Sequence, residues 1–168
     1  KLKIHSEHLD EHHEMLFFYK FASIYFGNEK YNECINYLDK IINNKNLTMR
    51  EDLMCFARLL SLIAHYELGK DYYLENHLKS TYKFLLKMND LHEVQKEIIK
   101  FLRNLNNFYP ADIKKEFKKM HTRFVELEKN TYEKRAFLYL DIISWLESKI
   151  ENRKIADIIK EKAKLNNR

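Results

Sequence analysis

"FYKFASIYFGNEKYNECINYLDKII", residues 18–42, decides how this chain folds. Its second half places Tyr31, Cys34, Ile35, Leu38, Ile41 and Ile42 at three- and four-residue spacing, the stripe of an amphipathic helix over about Glu29–Asn43. Its first half continues a helix that begins near His8 and ends at Phe26, where Gly27-Asn28 forms a favourable helix exit. The break between them is short, so the two helices must run antiparallel as a hairpin. Ala22 and Cys34 are small enough to let the helices approach closely, and the surrounding aromatics fill the space on either side.

The same reading extends to the rest of the chain. Thr48 and Glu51 stand as a capping box, in which each side chain bonds the other's backbone N–H. A third helix follows to about Leu68, with Leu53, Phe56, Leu59, Leu60 and Ile63 inward, and Gly69 closes it. The fourth runs from Asp71 to Lys87 on Leu74, Leu78, Tyr82 and Leu85. Asp90 to Glu93 reads as the cap of a fifth, carrying Val94, Ile98, Phe101, Leu102 and Leu105. Pro110 suits the first turn of a sixth, where its missing N–H is not needed. That helix buries Ile113, Phe117, Met120, Phe124 and Leu127. Asn130 and Glu133 cap a seventh through "AFLYLDIISWLESKI", residues 136–150, which is apolar on most sides and therefore expected at the centre. Within it Asp141 interrupts the apolar run, and its expected place is the wet side. Asn152 is expected to cap an eighth on Ile155, Ile158, Ile159 and Ala163, and the tail from Lys164 to fray.

Composition narrows the alternatives. Two glycines and one proline in 168 residues are too few for the turns of an all-β protein, and they leave no room for a phosphate-cradling glycine loop. No apolar run reaches the roughly 20 residues that span a bilayer, and the polar, histidine-rich start is no signal peptide. These features suggest a cytoplasmic location with no membrane partner. Cys34 and Cys55 fall inside helices and read as reduced core thiols. The absence of a starting methionine suggests a fragment of a longer chain. No linker divides residues 1–168, so a single all-α domain of antiparallel helical hairpins, about eight helices in all, is expected.

The hairpin of residues 18–42 resembles a tetratricopeptide repeat. Phe18, Phe21-Ala22 and Tyr25 match the large, large–small and aromatic positions of the family's first helix. Tyr31, Cys34 and Leu38 match its second helix, while Ile41 stands where alanine is usual. A second hairpin, residues 56–86, keeps Tyr66, Leu68-Gly69 and Tyr72-Tyr73 but loses the small residues. Its offset is about 40 residues instead of the family's 34. The resemblance implies a stacked α-solenoid, here its C-terminal part, that binds a peptide or partner domain on a concave face. The residues it assigns to that face are Leu16, Tyr19, Lys20, Ser23 and Phe26. Tyr19 and Ser23 stand where carboxylate-clamping members carry lysine and asparagine, so apolar and aromatic contacts are expected.

Other constellations are weaker. His8, Glu11 and His12 match the inverted zinc-protease pattern HxxEH. They precede the core, and no third-ligand signal follows, so the cluster from His5 to His13 reads as a solvated helix start. No metal, cofactor or catalytic residue is assigned. Ser61 and His65 share one helix, but a nucleophile and its base need a facing geometry that spacing alone does not supply. The net charge is +5. Its densest patch, Lys114, Lys115, Lys118, Lys119 and Arg123, offers the alternative function, a nucleic-acid backbone tracked by one basic helix face. The first helix is apolar nearly all round, through Leu16, Phe17, Phe18, Tyr19, Phe21, Ile24, Tyr25 and Phe26. Something should cover its second face, either further repeats before Lys1, the segment around His5, or a second copy of the chain.

Overall fold

The computed structural model describes residues 11–44, 51–69, 71–88 and 92–166. Among them are nine α-helices and no strand. In chain order they are α1 (Glu11–Gly27), α2 (Tyr31–Ile42), α3 (Glu51–Glu67), α4 (Asp71–Leu85), α5 (Glu93–Asn104), α6 (Ile113–Glu128), α7 (Lys134–Tyr139), α8 (Ile142–Glu151) and α9 (Ile155–Asn166). Consecutive helices pack on one another from α1 through α6, and α6 then packs on α8.

The hairpin of α1 and α2 forms as its sequence requires. Ala22 and Cys34 are completely buried at its heart, with Leu38 and Ile41 beside them. Its turn departs from the expected glycine exit. The left-handed residue is Glu29, at φ 60°, and Lys30 N–H reaches back to the Tyr25 carbonyl at 2.9 Å. Gly27 stays inside α1, beside Ile159 of α9, where a β-carbon would make only an ordinary contact at 3.7 Å. Gly69 does close α3 in the left-handed conformation, at φ 65°.

The centre of the molecule holds two helices: α8, where the expected apolar run buries Ile142 to Leu146, and α3. Every residue of α3 from Leu53 to His65 is buried except Arg58, so α3 is surrounded. It achieves this with small residues, Ala57, Ser61 and Ala64, between its large ones. The expected seventh helix is two helices. Leu140 is extended, at φ −130°, and the Asp141 carboxylate accepts the Ser144 N–H at 3.1 Å. Asp141 is exposed, yet its position is set by capping α8. Asn152 also changes role, ending α8 in the left-handed region at φ 55°. On α4 it is Thr81 that is buried, while Tyr82 turns outward. On α9 Ile155 and Ile158 are buried, whereas Ile159 and Ala163 are exposed. Pro110 lies in a turn ahead of α6, whose N-cap is Asp112. The proposed caps at Thr48 and Asp90, and the start of the first helix at His8, lie outside the described residues.

Three glutamates hold distant elements together. Glu133, buried before α7, accepts the N–H groups of Glu93 at 2.9 Å and Val94 at 3.1 Å and so caps α5. Glu29, in the α1–α2 turn, accepts the Ile155 N–H at 3.2 Å and caps α9. Glu67, at the end of α3, accepts Trp145 Nε1–H at 2.6 Å and Lys149 at 2.8 Å, fixing α8. Helix N-termini carry free donors and a positive dipole end, which is why Glu133 and Glu29 settle there. The chain's end thereby returns to its first hairpin.

Candidate functional site

That return creates a groove of about 520 Å³ between α1 and the α7–α9 end. Leu16, Tyr19, Lys20, Ser23 and Phe26, the five residues named from sequence, all line it. They repeat along one side of α1 because their spacings are three, one, three and three. The opposite wall was not legible from the tetratricopeptide pattern: Phe137, Leu138, Tyr139, Leu140 and Asp141 from the α7–α8 junction, with Ile155 and Ile159 from α9. Leu60 of α3 also lines the groove.

Tyr19 fixes the two walls. It is buried, and its hydroxyl donates to the Tyr139 carbonyl at 2.8 Å. Burial, with Cys34 and Tyr139 nearby, pushes its pKa well above the usual tyrosine value, so it remains a neutral donor. The Tyr139 ring stacks on Phe56 with centroids 5.0 Å apart, and its hydroxyl donates to Asp52 at 3.2 Å. Short as it is, α7 is thus strapped to both α1 and α3.

The groove's polar groups are largely satisfied from within. Ser23 Oγ donates to the Tyr19 carbonyl at 3.0 Å, and Asp141 is engaged with the Ser144 N–H. Lys20 and Asp141 are its only charged lining residues among those described. What remains on offer is aliphatic and aromatic surface. Ile24 is 58% exposed and Leu138 is 81% exposed on the rim. A groove of this size and character suits one or two large apolar side chains of a ligand. The signal that could have revealed its far wall is Asp141. An aspartate inside an apolar run, three residues before Ser144, is a helix start, and a helix start there leaves Leu138 on a bend.

The other candidates are placed as follows. Ser61 Oγ lies 3.4 Å from His65 Nδ1, but the same nitrogen lies 2.8 Å from the Ser61 carbonyl. A carbonyl only accepts, so Nδ1 carries the proton and cannot take one from the hydroxyl. The pair is buried and makes no nucleophile. Cys34 and Cys55 are buried free thiols, and burial pushes both up to about 12. His5 and His8 lie outside the described residues, and His13 is exposed. No group of three or more potential metal ligands occurs among the described residues. Lys114, Lys115, Lys118, Lys119 and Arg123 are all exposed on α6, and Lys119 pairs with Glu116. No described helix is long and apolar enough to cross a membrane. No family model, curated protein or solved structure matches this chain, so the groove must be read from its own residues.

Proposed function

We propose that the chain is a protein-interaction module built as a tetratricopeptide-like stack of helical hairpins, and that it takes an apolar segment of a partner in the groove between α1 and α7–α9. The observation that carries this reading is the groove itself. It is roomy, apolar and rimmed by the exposed Ile24 and Leu138, and its internal polar groups already have partners. Such a surface gains by covering aliphatic area and offers no concentrated charge to grip a carboxylate. The tight contact of α1 and α2 at Ala22 and Cys34 supports the repeat-like hairpin.

Selection of a displayed peptide library on the 168-residue chain tests the proposal. Sequences with large apolar or aromatic anchors should be enriched, and Leu138→Asp and Ile24→Asp should each abolish their binding. Both positions are exposed, so neither change threatens the fold. Enrichment of peptides that bind the variants equally well, or that depend on a free C-terminal carboxylate, would overturn the reading. Tight, salt-sensitive RNA binding lost on Lys115→Glu with Lys119→Glu would replace it with the nucleic-acid alternative.

A further inference from the structure

A second groove, of about 450 Å³, runs between α4 and α5 and shares no lining residue with the first. Leu85 and Ile99 are buried in its floor. Tyr82 of α4 and Leu86, in the turn just past its end, form one wall, and Leu86 is 61% exposed. The α5 wall carries Lys96, Lys100 and Arg103. Their spacing, four then three, places one cation per turn along a single line about 10 Å long. No acidic residue is among the described residues that line the groove. Lys96 leans toward Glu93 at 3.5 Å but stays half exposed. Arg103 rests its guanidinium 4.7 Å above the Tyr82 ring.

We propose that this groove docks an acidic amphipathic segment of a partner protein. A large aliphatic side chain of that segment sits between Leu86 and Ile99. Carboxylates at helical spacing meet Lys96, Lys100 and Arg103. The combination is what selects this occupant. An exposed leucine over a buried aliphatic floor needs apolar cover, and three aligned cations need anions beside that cover. A nucleic acid would satisfy the cations and leave the aliphatic floor wet, and the ring that would stack a base is already covered by Arg103. A lipid surface is attracted by larger basic clusters than three residues inside a concave groove.

Fluorescence anisotropy with a labelled helical peptide tests this. The probe repeats leucine at heptad spacing with glutamates between. Binding is expected, weakening as salt is raised. Lys100→Glu with Arg103→Glu should weaken it by about tenfold or more, and Leu86→Ser by about threefold to tenfold. All three positions are at the surface, and circular dichroism verifies that the variants fold. Lys160→Glu with Lys164→Glu makes the same change in net charge on α9 and should leave the affinity within about twofold. The proposal fails if the probe does not bind or binds the Lys100/Arg103 variant unchanged. It fails too if a leucine-free acidic peptide binds as tightly. Tighter binding of single-stranded RNA or phosphatidylserine vesicles than of the probe, lost in the same variant, would assign the groove to those ligands instead.

Discussion

Glu133 shows how much one side chain does here. Its two oxygens satisfy two N–H groups that begin α5, forty positions earlier in the chain. Glu133→Ala should cost about 2–4 kcal/mol, because a buried and a half-buried donor lose their acceptor at once. Glu133→Gln keeps one acceptor and should cost about 1–2 kcal/mol. Urea unfolding measures both. His77 supplies a second residue-level test. Its ring stacks on His65 with centroids 4.8 Å apart. Burial, then His65, hold its pKa below the usual 6.5, with Arg58 acting the same way and Asp39 opposing. The unfolded chain therefore takes up this proton more readily than the folded one. The stability tied to neutral His77 is complete above about pH 6.5 and is lost as pH falls toward the folded pKa. Melting temperature should drop between about pH 7.5 and pH 5, and His77→Gln should flatten that part of the curve.

At the scale of elements, the helices that follow simple periodicity were legible. The inward faces of α2, α5 and α6 match their stripes, since Cys34, Leu38, Ile98, Phe101, Phe117 and Phe124 are all buried. The α7–α8 break was not, because Asp141, Ser144 and Ser148 fall at helical spacing and read as the polar side of one continuous helix. Asp141→Ala should cost about 1 kcal/mol by removing the cap of α8, and Asp141→Asn should recover most of it. Were Asp141 merely on a wet face of one long helix, thermal unfolding would register neither change. The caps of α5 and α9 were hidden for a different reason. Glu133 and Glu29 lie far from the helices they cap, and local spacing carries no record of such a partner. For the groove, helical spacing places Leu16, Tyr19, Ser23 and Phe26 along one side of α1, while the other wall depends on where α7 and α9 land.

At the scale of the whole molecule, α1 still shows an apolar line outward. Phe17 and Phe21 are almost half exposed and Ile24 more so, although Tyr37 of α2 packs 5.4 Å from Phe21. The 168-residue chain should self-associate with rising concentration, and Phe17→Lys with Ile24→Lys should shift it toward monomer in light scattering without lowering its melting temperature. A strictly monomeric wild type at high concentration would show that this line is adequately shielded. The cap that Glu29 places on α9 has a consequence of another kind. A row of helices that touches only its neighbours can gain or lose a hairpin and still fold, because each unit answers only to the next. Here the turn after α1 must meet the first residue of α9 across 126 positions. A hairpin duplicated between the two would carry α9 past its anchor and leave the Ile155 N–H without the Glu29 carboxylate, so growth by duplication would cost this cap.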